Sequence, residues 1–204
     1  MFITFEGGEG CGKSTQAKAL YRKLYQQDIP VVLTHEPGGT ALGSEIRKSL
    51  KKKQGSPISP QAELLLFAAS RAQLVAEVIR PALEKGKVVI CDRFAHSTLV
   101  YQGYGRGLNL TTVEMVNNLA TQNLKPDIII FLDISPEQGL ARKRAPKDRF
   151  ESEDLSFHHR VREGYLKMAA ADPDHWLVID ATLLKREIAK IIWERVSQLL
   201  PHLP

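Results

Sequence analysis

The chain alternates between short, uninterrupted apolar runs and longer stretches in which apolar residues recur every three or four positions. The short runs lie at 1–6, 30–34, 87–91, 127–132 and 176–179, and runs such as Lys-Val-Val-Ile-Cys and Asp-Ile-Ile-Ile-Phe-Leu-Asp show no polar alternation. Continuous apolar runs suit strands covered on both faces, as in a parallel sheet. The longer stretches predict helices over 13–27, 41–51, 60–84, 111–123, 135–144, 153–170 and 183–200. Strands alternating with helices imply βαβ crossovers and a doubly wound α/β fold, in which ligands sit beyond the carboxyl ends of the strands. The 60–84 stretch is apolar on more than one helical face, so it is expected to pack both on the sheet and on something else, such as a second subunit. Segment 142–154 is the opposite: almost wholly charged, interrupted by a proline, and breaking two helical patterns.

No repeat, low-complexity tract or Pro/Gly/Ser linker divides the 204 residues, which are expected to form one domain, 1–204. A chain of this length buries roughly 70% of its unfolded surface. With 43% hydrophobic and 25% charged residues it is an ordinary globular sequence, not a disordered one. Two cysteines, Cys11 and Cys91, cannot build a disulfide scaffold, and reduced thiols in a cytoplasmic protein are the simple expectation. No apolar run approaches the ~20 residues of a membrane span, and Glu6 with the glycines after it cuts short any secretory signal. The net charge of +5 points to anionic partners without saying which.

The first strand is followed directly by Gly7, Gly8, Glu9, Gly10, Cys11, Gly12, Lys13 and Ser14, which matches the phosphate-loop pattern G-x-x-x-x-G-K-[ST] over 7–14. A chance match in a chain this long occurs at a rate of about 1%, and the strand-then-helix context lowers that further. Glycines let the loop curl so that backbone N–H groups converge on phosphate oxygens, and the helix that starts near Lys13 adds its positive end. Lys13 would set a cation on the β/γ phosphates, the Ser14 hydroxyl would ligate Mg²⁺, and Thr15 would add a further hydroxyl. Cys11 has no partner His or Cys nearby in sequence and reads as a small loop residue. The loop implies ATP or a related triphosphate with Mg²⁺; it does not by itself separate a kinase from a switch or a motor. No Asn-Lys-x-Asp guanine reader is present, and the third strand ends Cys91-Asp92-Arg93, which would set Asp92 near the metal and Arg93 near the phosphates.

The phosphate loop, His35-Glu36-Pro37-Gly38-Gly39-Thr40, Phe67 to Arg71, Asp92-Arg93-Phe94 and Tyr101-Gln102-Gly103 stand in the order seen in bacterial thymidylate kinases, and the sequence resembles that family over nearly its whole length. The resemblance implies a phosphate-loop nucleoside monophosphate kinase fold with a five-stranded parallel sheet flanked by helices and a short lid. It implies phosphorylation of dTMP to dTDP with ATP and Mg²⁺, in dTTP synthesis, by a cytoplasmic homodimer, with neither nucleic acid nor membrane as partner. It also implies roles for single residues. Phe67 matches the aromatic that stacks on thymine, Arg71 the arginine that donates to thymine O4, and Thr98 and Gln102 polar readers of the base edge. Tyr101 matches the tyrosine near the sugar, Glu9 the acid at the 3′-hydroxyl, and Arg47 and Arg93 the arginines on the dTMP phosphate. Glu36 stands beside the acceptor site, and Ser97 matches a polar residue close to the nucleotide.

The residues agree with this where they can be checked. Phe67 and Arg71 are four apart and share a helical face, so one can stack on a ring while the other reaches its edge. A guanidinium facing the base rejects cytosine, which presents an amino donor there, far more strongly than a pocket rejects the loss of one methyl, worth roughly 1–3 kcal/mol. The phosphate loop itself carries no arginine, and in the family a lid then supplies one. Segment 142–154 offers Arg142, Arg144, Lys147 and Arg149, of which Arg144 and Arg149 fit the lid pattern best. Such a lid is expected to be mobile in water and to order on polyphosphate, excluding water. Adenine recognition is weakly encoded, at 180–182. The six histidines show no metal-ligand spacing, and His158 and His159 read as surface residues of a charged helix. Two rivals remain at this point: a kinase for another small acceptor, and a nucleotide-dependent switch or nucleic-acid-binding ATPase, which would show salt-sensitive DNA binding.

Overall fold

A computed structural model describes residues 1–52, 57–142 and 148–200. The five apolar runs form strands β1 (Phe2–Glu6), β2 (Val31–His35), β3 (Val88–Asp92), β4 (Ile128–Asp133) and β5 (Trp176–Asp180). All pair in parallel, in the order β2-β3-β1-β4-β5. The reason for the unbroken apolar runs is visible in the packing. Ile3, Phe5, Ile90, Ile130 and Leu132 face one layer with α1 (Lys13–Tyr25) and α9 (Lys185–Leu199). Phe2, Val89 and Cys91 face the other, against α3 (Pro60–Leu74) and α4 (Arg80–Glu84), while Ile129 and Phe131 meet α8 (Leu155–Ala171) there. Alternate side chains therefore enter two different cores, and both faces of the sheet are mainly apolar.

The remaining helices are α2 (Ala41–Lys51), α5 (Ala95–Thr98), α6 (Leu110–Thr121) and α7 (Pro136–Ala141). Their starts follow from capping chemistry. Thr40, Ser59, Asn109, Ser135 and Asp154 each accept a first-turn backbone N–H on a side-chain oxygen, and Pro60 and Pro136 sit where a missing N–H does no harm. The N-terminus of α1 is different. Gly12 occupies the cap in the left-handed region and offers no side-chain bond to the first turn, while the Thr15 N–H is taken by the Gly12 carbonyl (3.0 Å).

Two stretches wind more widely than an α-helix, at Val75–Ile79 and Leu99–Gly105. The first joins α3 to α4 along the predicted 60–84 helix. The second extends α5 over a stretch where the apolar pattern predicts no element at all. Its composition (Leu-Val-Tyr-Gln-Gly-Tyr-Gly) carries β-branched and glycine residues that lower helix propensity, and tertiary packing overrides that preference. Val100 and Tyr101 pack with Phe157, Val161 and Tyr165 of α8, and Arg106 N–H reaches back five residues to the Tyr101 carbonyl.

The glycine loop is braced from behind by α7. A Cβ on Gly10 (φ +69°) would lie 1.9 Å from the Gly139 carbonyl oxygen, and one on Gly139 would lie 2.3 Å from the Glu9 carbonyl oxygen. Both obstacles are backbone, so a methyl group there must move the loop. Gly139→Ala is expected to destabilise the protein by roughly 1–3 kcal/mol, the usual range for overpacking, and to weaken ATP binding as well. Thermal denaturation with and without ATP checks both effects.

Candidate active site

The carboxyl ends of β1, β2 and β3 open into a cleft of about 690 Å³ lined by the glycine loop, the turn after β2, α2, α3 and the 93–102 segment. Lys13 is buried at its floor, and its ammonium donates to the Gly7 (3.0 Å) and Gly8 (2.7 Å) carbonyls. Its charge is therefore held inside the curl of the loop. Gly7 (φ +142°), Gly10 and Gly12 (φ +98°) adopt a backbone that other residues rarely accept. The small loop residue Cys11 is buried with its thiol 3.3 Å from the Lys13 ammonium. Ser14 and Thr15, at the start of α1, both line the cleft.

The Ser14 hydroxyl donates to the Asp92 carboxylate, so the two expected metal ligands meet. Among the described residues no group of three or more His, Cys, Asp or Glu side chains gathers to hold an ion. A hydroxyl beside one carboxylate suits magnesium, which keeps most of its shell for phosphate oxygens and water. These two residues would hold it, and bound there it would neutralise phosphate charge.

Arg93 lines the cleft beside the glycine loop with a left-handed backbone (φ +72°), fixed by its N–H to the Phe5 carbonyl (2.9 Å) and by the Cys91 thiol on its own carbonyl (3.0 Å). A bulky residue in that region costs of order 1–3 kcal/mol and persists only where its surroundings over-determine it. Its guanidinium donates to the Gly7 carbonyl (3.1 Å), Ser97 Oγ (3.3 Å), Glu9 Oε1 (2.8 Å) and Tyr101 OH (3.1 Å), and Tyr101 OH donates in turn to Glu9 Oε1 (2.9 Å). The loop, the end of β3 and the 99–105 turn thus close on one cation.

Below this cluster lies Glu6, which closes β1 and takes no role in the sequence reading. Its carboxylate accepts from Phe94 N–H (2.9 Å), Ser97 Oγ (2.6 Å) and Tyr165 OH (2.8 Å). Burial raises its pKa against the pull of these donors and of Arg93. An acid ending an apolar strand immediately before the glycine loop was the signal available in the sequence. Ser97 is consequently bound to Glu6 and Arg93 at the cleft wall.

Arg71 is buried across the cleft. It donates through Nε (2.8 Å) to Glu36 Oε2, with Nη2 at 2.6 Å from the same oxygen, through Nη1 to Asn117 Oδ1 (2.7 Å), and through Nη2 to Thr98 Oγ1 (2.9 Å) and the Phe94 carbonyl (3.2 Å). Thr98 is therefore a prop for Arg71 as well as a wall residue. Phe67 lines the cleft near Arg71, as their spacing requires, and meets Phe150 with ring centroids 5.7 Å apart. Arg47 lines it from α2 and donates to the Pro37 carbonyl (2.8 Å). Gln102 donates through Nε2 to Glu63 Oε1 (2.7 Å).

The 142–154 segment divides. Arg144 and Lys147 lie outside the described residues. Arg149 is placed away from the cleft: its Nε donates to the Leu50 carbonyl (2.6 Å) at the end of α2, and its Nη2 pairs with Glu63 at 2.5 Å. The physical reason is Glu63, a fully buried carboxylate that needs cations beside it. Asp148 pairs with Lys51 of α2 (2.6 Å), and Phe150 is buried against Phe67 and Tyr101, so the second half of the segment is docked instead of solvated. Among the described residues of the segment, Arg142 is the arginine that lines the cleft. It donates to the Ala181 carbonyl (3.0 Å) in the weakly encoded 180–182 turn and reaches the Gly10 carbonyl (3.5 Å). His158 also differs from expectation: it is buried, and desolvation lowers its pKa, because its side of α8 faces the core; His159 is exposed beside Glu137 (2.8 Å).

The thymidylate kinase family profile matches residues 5–192 of this chain. A thymidylate kinase of Dehalococcoides mccartyi is 55% identical over 201 residues, 98% of this chain and 97% of that protein. One from Synechococcus sp. strain JA-2-3B'a(2-13) is 51% identical over 201 residues, 98% of this chain and 96% of that protein. Among solved structures, the crystal structure of thymidylate kinase from Ehrlichia chaffeensis superposes with a TM-score of 0.77 at 34% identity, covering 98% of both chains.

Glu36 connects the site to pH. Burial raises its carboxyl pKa from 4.5 to about 7, against the opposing pull of Arg71. The folded state then holds a proton that the unfolded chain releases, so this group's contribution to stability is greatest below pH 4.5 and declines as pH rises towards about 7. Glu36→Gln is expected to flatten the fall in stability across that window, as checked by urea denaturation at a series of pH values.

Proposed function

The chain belongs to the thymidylate kinase family, the nucleoside monophosphate kinases that convert dTMP to dTDP with ATP, and we propose that its cleft holds the two nucleotides tail to tail. The donor half is the loop Gly7 to Thr15, with Lys13 on the β/γ phosphates and Mg²⁺ between Ser14 and Asp92. The acceptor half takes dTMP across α2, α3 and the 93–102 segment. The observation that carries this division is the four-way contact of Arg93 with Gly7, Ser97, Glu9 and Tyr101, which sets one cation between the halves. Charge spread over equatorial phosphoryl oxygens is stabilised by cations already in place, and positioning is most of the catalysis.

In this reading Arg93 and Arg47 hold the dTMP phosphate. Glu9 and Tyr101 face the sugar, with Glu9 at the 3′-hydroxyl and Tyr101 excluding a 2′-hydroxyl. Phe67 stacks on the base, Arg71 donates to O4, and Gln102 reads the neighbouring edge. Thr98 and Glu36 aim Arg71, while Ser97 links Arg93 to Glu6. The phosphate of dTMP is largely ionised at neutral pH, so its oxygen attacks in line without a strong general base, and Asp92 and Glu9 orient. Arg142 is the lid cation supported by the cleft lining, with Arg144 retained as a second candidate; Arg149 acts instead as an anchor of the lid base. The whole of 1–204 serves as one unit with the lid at about 142–154.

We further propose a cytoplasmic homodimer. Two free, buried cysteines support a reducing location, and among the described residues no helix is long and apolar enough to cross a membrane. Helices α2, α3 and α6 pack side by side, and each exposes large apolar side chains: Leu42, Leu65, Met115 and Leu119, the last 82% exposed. An exposed apolar layer of this kind is what a subunit interface covers, and it answers the second apolar face of 60–84. Leu119→Glu is expected to shift the protein to monomer in sedimentation velocity.

An acceptor panel with ATP in a coupled ADP-release assay tests the assignment: dTMP is expected to be preferred strongly over dCMP and AMP, and preference for either of those would reject it. Arg93→Ala is expected to lower kcat about a thousandfold, the scale of a transition-state arginine, while keeping the folded circular dichroism spectrum at the assay temperature.

A further inference from the structure

Glu63 does not line the cleft, yet it is fully buried directly behind it, one helical turn before Phe67 and two before Arg71 on the same face of α3. Its Oε1 accepts from Gln102 Nε2 (2.7 Å) and Arg106 Nε (3.2 Å), its Oε2 accepts from Arg106 Nη2 (3.3 Å), and Arg149 Nη2 lies 2.5 Å from that oxygen. A carboxylate paired with two arginines can only accept hydrogen bonds. The amide of Gln102 must therefore turn its NH₂ to Glu63, which decides the orientation of the amide on chemical grounds. The consequence is on the other side of the same group. Gln102 lines the cleft, and its Oε1 is buried with no hydrogen-bond partner among the described residues. A buried carbonyl left unpaired is costly unless a ligand completes it.

We propose that Glu63 is a positioning residue for base specificity: by holding the NH₂ of Gln102, it presents Oε1 to the base as an obligate acceptor. This rests on the reading of Phe67, Arg71 and Gln102 as the base site. Arg71 offers donors, and Gln102 so oriented offers an acceptor. Thymine and uracil present the complement, a carbonyl at O4 and a donor at N3–H. Cytosine presents the reverse, an amino group and an unprotonated N3, so both contacts fail together. A flipped Gln102 would instead donate, and would suit the cytosine N3. Discrimination against cytosine therefore depends on a carboxylate that never touches the nucleotide, while thymine and uracil gain from it alike.

The test is steady-state kinetics with dTMP, dUMP and dCMP on wild type, Glu63→Gln and Glu63→Asp, each checked for folding by circular dichroism. Glutamine can accept or donate, so Gln102 is freed to turn. Glu63→Gln is expected to lower the ratio of kcat/KM for dTMP over dCMP about tenfold or more, by a raised KM for dTMP and a lowered one for dCMP, with kcat for dTMP nearly kept. The dTMP over dUMP ratio is expected to stay unchanged. Glu63→Asp keeps an acceptor-only group and is expected to keep the preference. In a Gln102→Leu background, Glu63→Gln is expected to change the ratio no further. If wild type itself fails to prefer dTMP over dCMP, the base-site reading fails and this proposal with it. If wild type shows the preference and a folded Glu63→Gln retains it within about twofold, the positioning role alone is overturned. Should Glu63→Gln not fold, loss of the preference in a folded Glu63→Asp overturns it equally.

Discussion

The ion pair between Arg71 and Glu36, 2.6 Å apart with both side chains almost fully buried, is the constraint around which the acceptor side is organised. Arg71 belongs to α3 and Glu36 to the turn after β2, and the same guanidinium is bonded to α6 through Asn117 and to the α5 region through Phe94 and Thr98. Removing one partner from such a pair leaves an uncompensated charge, typically 3–5 kcal/mol of destabilisation. Replacing both with apolar residues would be tolerated energetically, so stability alone does not explain the pair. It fixes a cationic, directional donor at the wall of the cleft.

The same device recurs. Arg93 is held by Glu9, and Arg106 and Arg149 flank Glu63. A cleft that receives two phosphorylated nucleotides needs concentrated positive charge, and positive charge alone would scatter its side chains. Each carboxylate orders its arginine in advance, so that little reorganisation remains for the moment of reaction. The buried carboxyls are held out of water in return: desolvation raises the pKa of both Glu6 and Glu36. Burial of acids beneath a cationic site is thus a destabilising feature of the fold tied directly to its chemistry.

The glycine loop works by a different principle. Its charge comes from backbone N–H groups and from Lys13, and its shape comes from positive φ angles that only glycine adopts without strain. The loop is also held from outside, by the close approach of Gly10 and Gly139. That contact makes α7 part of the nucleotide site although none of its residues lines the cleft. α7 leads directly into Arg142, whose guanidinium reaches the Gly10 carbonyl, so the same part of the chain touches the loop twice.

Local pattern determined much of this protein in advance. Unbroken apolar runs specify parallel strands because both faces are covered; Gly-rich spacing before Lys13 and Ser14 specifies a phosphate cradle because only glycine permits the curl; a spacing of four puts Phe67 and Arg71 on one face. Each is a short-range rule, legible without knowing where the chain goes next. Tertiary structure decided what depends on partners far apart in sequence. The 95–105 helical turns form against α8 despite poor propensity. Arg149 is drawn to Glu63, 86 residues away, because a buried carboxylate must be matched by charge. Glu63 itself could have been suspected, since it shares the face of Phe67 and Arg71, but an acid on a helix acquires meaning only when its burial and its bond to Gln102 are known. Spacing along the chain selects which residues can act together; desolvation and long-range pairing select what each of them does.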